Sequence, residues 1–122
     1  MNTPTIRATF ELDASGHPTA VDRNDLRHYH IRLHVDDYPP DTYAVTYVLD
    51  DSYYDAVREV RDRDAHFEER LTSYGDYTVQ AKIRTRNGTT MVAVPLSTAL
   101  AASHGDAPSP AVAEALRDIA AH

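Results

Sequence analysis

Apolar and polar residues alternate along much of this chain, and that period of two fits half-buried β-strands, since a helix would wind the same apolar residues around its whole circumference. Ile6, Ala8, Phe10 and Leu12 alternate with Thr5, Arg7, Thr9 and Glu11, and Ser15, Gly16 and Pro18 then supply turn chemistry. Tyr29, Ile31, Leu33 and Val35 alternate with His28, His30, Arg32 and His34 before Pro39 and Pro40 end the run. Residues 43–49 are apolar on both faces apart from Thr46, as suits a strand in the middle of a sheet. The most regular run sets Tyr77, Val79, Ala81, Ile83 and Thr85 against Thr78, Gln80, Lys82, Arg84 and Arg86, with Asn87-Gly88 next. Asn-Gly suits a type I′ turn, whose two central residues both take positive φ, so residues 89–94 are predicted to return as the partner strand.

Two stretches depart from the pattern. Ser109 as N-cap and Pro110 in the first turn predict a helix over 111–122, with Val112, Leu116 and Ile119 on one stripe. The proline-flanked break before it divides the chain into a sandwich domain, residues 1–107, and a helical tail, residues 108–122, which the sandwich is expected to tolerate losing. Val57, Val60, Phe67 and Leu71 approximate a helical stripe, so local pattern alone predicts a helix within 55–73.

A chain of 122 residues holds a single core. Its 19 acidic and 12 basic side chains leave a formal charge of -7, and the densest basic run, Arg58 to Arg63, is interleaved with Glu59 and Asp62. Such a surface repels polyanions, so nucleic acid is not an expected partner. No stretch approaches the roughly 18 apolar residues of a membrane span, and Met1 to Pro4 show no basic segment leading into an apolar one. The expectation is a cytoplasmic protein with no membrane partner. With no cysteine there is no disulfide, zinc thiolate site or thiol nucleophile, and no glycine-rich nucleotide fingerprint or serine elbow occurs. No cofactor and no enzymatic activity are expected.

His28, His30 and His34 share one strand face and invite a metal reading, but no carboxylate stands among them, and a solvated polar face accounts for them better. Asp36-Asp37 and Asp50-Asp51 lack the alternating oxygen ligands and central glycine of a calcium loop. Tyrosine is the unusual ingredient, with eight copies against two phenylalanines and no tryptophan. Ser52-Tyr53-Tyr54 follows one strand, and Ser73 to Tyr77 leads into another. A tyrosine has a flat apolar face and a hydroxyl, so such pairs at strand ends either cap a sandwich or wall a slot for a flat or extended ligand.

At these two loops the chain resembles the YEATS domain family, in particular its divergent prokaryotic branch. In that family a strand ends in a motif of the form L-H-x-S-F, and a later loop has the form W-G-x-F or Y-A-G-F. Leu49-Asp50-Asp51-Ser52-Tyr53 is similar to the first and Tyr74-Gly75-Asp76-Tyr77 to the second, and the resemblance spans residues 28–95. It implies an immunoglobulin-like β-sandwich, in which 55–73 is a long connection carrying one or two short strands, with Phe67 and Leu71 turned to the core. It further implies an acyl-lysine slot. Ser52 would bond the acyl amide, Tyr53 and Tyr74 would sandwich it, backbone groups of Gly75 and Asp76 would complete its contacts, and Tyr77 would close the slot from below. Asp50 stands where acyl-lysine readers carry histidine, and carboxylates at Asp50 and Asp76 would favour a cationic or strongly donating ligand.

The function implied is a binding module for a modified or acylated lysine peptide or a protein partner. The alternative is a signalling or defence-associated interaction domain without a small-ligand pocket, docking through a sheet edge or its C-terminal helix. A small hydrolase built on the histidines ranks below both, because no motif places a nucleophile beside a base.

Overall fold

The longest alternating run becomes the strand around which the first sheet is built. In the computed structural model, which describes residues 3–122, β1 (Thr5–Phe10) and β2 (Ala20–Arg23) both pair antiparallel with β3 (Leu26–Asp36). Met1 and Asn2, where the reading of the chain's start begins, lie outside the described residues. Ile31 and Leu33 of β3 pair with Phe10 and Ala8 of β1 on one edge. On the other edge they pair with Leu71 and Glu69 of β6 (Glu69–Ser73). The second sheet runs in the order β5 (Val57–Val60), β4 (Thr42–Val48), β7 (Thr78–Thr85), β8 (Gly88–Pro95).

The alternation read from the sequence is the alternation of burial. Tyr29, Ile31, Leu33 and Val35 face Val45, Tyr47, Val79, Ala81 and Ile83 in one core cluster, while the intervening polar residues point outward. Each large apolar side chain buried there contributes about 1.5–3 kcal/mol. The two sheets make the immunoglobulin-like β-sandwich that the resemblance implies. Residues 55–73 form β5, a 3-10 turn at Arg63–Ala65 and β6, with Phe67 and Leu71 buried. The local helical spacing there yields to sheet pairing. Phe67 sits in the core at a φ of 59°, uncommon for a bulky residue, and is held by its amide bond to the Asp62 carbonyl (2.9 Å) and by the Tyr47 hydroxyl donating to its own carbonyl (2.7 Å).

Three features differ from the sequence reading. The β7–β8 hairpin is present, but Thr85 pairs with Gly88, so Arg86 and Asn87 form the turn and only Gly88 takes positive φ, 139°. The two-residue turn with both φ values positive is Asn24-Asp25, at 53° and 63°, joining β2 to β3. Strand β2 itself, only four residues long and exposed at its end, carried no alternation signal. Beyond Pro95 the chain enters a helix, α1 (Leu96–His104), that the sequence reading left without structure.

The last helix, α2 (Pro110–Ala121), forms as predicted, and the Ser109 hydroxyl accepts the Val112 amide proton at 3.3 Å. Its packing is less tail-like than expected. Val112, Ala115 and Ile119 belong to the same core cluster as the sheets, and the Tyr29 hydroxyl donates to Asp118. Burial, with the Asp118 carboxylate, pushes the Tyr29 phenol up to about 12. The helix α1 packs on β1 and α2 packs on α1. No described helix is long and apolar enough to cross a membrane.

Candidate functional site

The first loop begins where β4 ends. The Leu49 amide bonds the Ala56 carbonyl at 2.8 Å, closing residues 50–55 into a compact excursion. Within it the Asp50 carboxylate accepts the Ser52 amide at 3.1 Å, and the Tyr53 amide donates to the Asp50 carbonyl at 3.1 Å. Hydrogen bonds from the Ser52 side chain and backbone hold the Asp50 carboxyl below its ordinary range. This turn folds Tyr53 back over the sandwich. Its hydroxyl donates to the Thr72 carbonyl at 2.6 Å and receives the Tyr77 hydroxyl at 3.2 Å. The two rings meet edge to face at 5.7 Å, and burial pushes both phenols up, so both stay neutral hydrogen-bonding groups. Arg58 lies over the Tyr53 ring at 5.6 Å.

The second loop, residues 74–77, is fixed from three directions. The Ser73 hydroxyl donates to the Gly75 carbonyl at 2.7 Å and accepts the Gly75 amide at 3.3 Å. Gly75 lies so close to the end of α2 that an added Cβ would stand 2.9 Å from the backbone carbonyl carbon of His122. Asp76 turns its carboxylate to α1, accepting the Ser97 amide at 2.9 Å and the Ser97 hydroxyl at 2.6 Å, and the Tyr77 carbonyl takes the Leu96 amide at 2.8 Å. These bonds satisfy helix amides that have no partner inside α1. The expected carboxylate rim is therefore reduced, because the Asp76 charge is committed to the helix. Tyr74 remains 42% exposed and packs on His28 at 5.1 Å, whereas Tyr53 packs on Tyr77.

The seven residues expected at the slot, Asp50, Ser52, Tyr53, Tyr74, Gly75, Asp76 and Tyr77, all line one cavity of about 480 Å³. Two aromatic pairs line it, Tyr53–Tyr77 and His28–Tyr74. The same cavity takes in Arg23, His28, Thr72 and His122, which the sequence reading did not include. In the sequence His28 shows only its strand face, Arg23 arrives through the β2–β3 hairpin, and His122 arrives through packing that no local pattern announces. Neutral phenols, hydroxyls and backbone groups line the cavity and offer hydrogen-bond partners to polar atoms within it. The other two strand histidines are engaged elsewhere, His30 with Thr19 at 3.1 Å and His34 with Asp36 at 3.5 Å. Among the described residues no group of three or more His, Asp or Glu side chains is placed to hold a metal ion.

The family model of the prokaryotic YEATS domain matches residues 29–94, more than half of the chain. The chain belongs to the prokaryotic YEATS family. Both loops of the cavity fall inside the matched span, whereas Arg23, the two helices and His122 fall outside it. No curated protein matches this YEATS domain at a significant level. Among solved structures, one described as the Yaf9 YEATS domain recognizing H3K122suc peptide is similar with a TM-score of 0.50 at 15% identity, covering 76% of this chain and 72% of that one. At that identity the likeness speaks for the fold alone.

Proposed function

We propose that this prokaryotic YEATS domain is a binding module that seats a modified lysine, or a partner side chain of similar reach, in the slot between its two loops. The observation that carries the reading is the lining of one cavity by two aromatic pairs, Tyr53–Tyr77 and His28–Tyr74, drawn from both family loops. Aromatic rings lining a cavity can hold a planar amide by stacking, at about 0.5–1.5 kcal/mol per aromatic contact. The Ser52 hydroxyl and the Gly75 and Asp76 backbone would bond its polar atoms. YEATS domains are reader modules, and the solved Yaf9 domain is named for recognizing a modified peptide, which supports a peptide ligand here. An assembly domain without a pocket is the weaker reading, since Tyr74 stays exposed instead of closing on Tyr53.

Titration of the domain with acyl-lysine peptides, followed by amide NMR shifts, tests the proposal. The shifts should concentrate on residues 50–54 and 74–77, and Tyr74→Ala should weaken binding about tenfold with an unchanged melting temperature, since its exposed ring contributes to the slot more than to the core. Shifts confined to a sheet edge, or binding indifferent to Tyr74→Ala, would turn the reading over to the assembly-domain alternative.

A further inference from the structure

Among the described residues, every sheet edge but one is guarded against further pairing. The edge strands β2 and β5 are four residues long and carry charges, Asp22 and Arg23 on one, Arg58 and Glu59 on the other. Helix α1 packs on β1, where the His104 ring takes the Phe10 amide proton. On β6 the Arg58 guanidinium and the Tyr53 hydroxyl donate to the Arg70 and Thr72 carbonyls. Short length, charge and cover are the devices by which natural sheets blunt their edges. Strand β8 has none of them. It ends its sheet, runs eight residues in unbroken register with β7, carries no charged side chain and holds its proline, Pro95, at the last position.

The free groups of that edge follow from the ladder. Hydrogen-bonded pairs alternate along two antiparallel strands. The Leu96 amide bonds the Tyr77 carbonyl at 2.8 Å, so by the register Val94, Val92 and Thr90 also turn their backbone groups to β7. Thr89, Met91 and Ala93 therefore turn theirs away from it, and all three residues are exposed. A strand laid along them meets a row of donors and acceptors ready to pair.

Charge indicates the occupant. Of the 19 acidic residues none lies between Tyr77 and Gly105, whereas the β7–β8 hairpin carries Lys82, Arg84 and Arg86. Lys82 stands opposite Met91 and Arg84 opposite Thr89, on the face turned away from the buried Ala81 and Ile83. From β5, across β4, Glu59 reaches Arg84 at 3.8 Å, and it is shared with Arg61 at 3.1 Å. A glutamate on a strand beyond β8 would stand at the same two-strand remove from Lys82 and Arg84. Pairing β8 with the β8 of a second copy would instead bring two cationic hairpins together.

We propose that the open edge of β8 takes an extended segment of a partner protein, paired as a fifth strand. Its outward side chains are acidic, and its inward ones are apolar and continue the half-buried row of Val92 and Val94. None of residues 88–95 lines the cavity between the two loops, so this surface is separate from the slot and does not rest on it.

Two blocked seven-residue peptides test this on the full chain, one alternating glutamate with valine and one alternating lysine with valine. In amide NMR the glutamate peptide should shift residues 88–95, slow hydrogen exchange at the Thr89, Met91 and Ala93 amides, and bind about tenfold tighter than the lysine peptide at low salt. High salt should shrink that preference. Lys82→Gln should weaken the glutamate peptide about threefold at an unchanged melting temperature, and Ala93→Pro, which removes one edge donor, should weaken it as well. Equal binding of the two peptides, or no shifts at residues 88–95 with the glutamate peptide at millimolar concentration, overturns the proposal. So does protection of the same three amides by self-association of the peptide-free chain, which would assign the edge to a second copy. Tyr74→Ala, the test of the slot, should leave the glutamate peptide's affinity unchanged, so the two readings fail separately.

Discussion

The His104 imidazole ties the last turn of α1 to the first strand. Its Nε2 accepts the Phe10 amide proton at 3.1 Å, and its ring stacks on Phe10 at 5.4 Å. Only the neutral ring has a lone pair to accept that proton. Burial accordingly holds its pKa below the ordinary 6.5. A depressed folded-state value means that the unfolded chain binds the proton first, so this contribution is present above about pH 6.5 and is lost as pH falls through the folded-state value. Urea unfolding followed from neutral pH downward should show that loss beginning near 6.5, ahead of the carboxylates. His104→Gln, which offers an uncharged acceptor, should flatten that part of the profile; an unchanged profile would mean that His104 is not the group responsible. At this scale Tyr53, Tyr74 and Tyr77 were legible because aromatic residues stood at the ends of recognisable strands. The role of His104 was not, because it depends on Phe10, a neighbour distant in the chain.

Alternation over β1, β3 and β7 reported directly which face is buried, and those strands appear where it placed them. Residues 55–73 show the limit of such patterns, since Val57, Val60, Phe67 and Leu71 approximate a helical stripe while lying on two strands and a turn. Asn87-Gly88 marked a real hairpin but the wrong turn geometry, because one positive φ at Gly88 suffices there. The helix α1 was missed for a physical reason: its N-cap, Pro95, offers no side-chain acceptor, and the cap comes from Asp76, 21 residues before Ser97. Asp76→Ala should therefore cost about 1 kcal/mol of stability, in the range of a lost helix cap. Ser97→Ala should cost less, since the Ser97 amide keeps its bond to Asp76. In a double-mutant cycle by urea denaturation the two losses should be less than additive, because the same carboxylate takes both Ser97 bonds. Full additivity would show that the observed contact contributes nothing to stability.

At the scale of the molecule the question is where the folding unit ends. A proline-flanked break before residue 109 reads as a linker, which would leave the sandwich to stand alone. Yet Val112, Ala115 and Ile119 share the core cluster with both sheets, and Asp118 accepts the Tyr29 hydroxyl from inside β3. Losing two large buried side chains, at about 1.5–3 kcal/mol each, and uncovering Tyr29 removes a large share of the ~5–15 kcal/mol that holds a typical domain folded. The end of α2 also meets Gly75 in the slot's second loop, so the helix supports the site as well as the core. We expect a chain truncated after Ala107 to unfold at a much lower urea midpoint, and its slot resonances to broaden even under conditions where it remains folded. The fuller comparison adds Ile119→Ala, which leaves the helix in place and removes only its deepest contact, at about 2–5 kcal/mol. If truncation and Ile119→Ala both leave the midpoint and the slot spectrum as they are, α2 is an independent tail and the sandwich ends near residue 107. If Ile119→Ala alone is costly and the truncated chain unfolds as a broad, weakly cooperative transition, the helix is part of one folding unit and reaches the cavity between the two loops through His122 and Gly75.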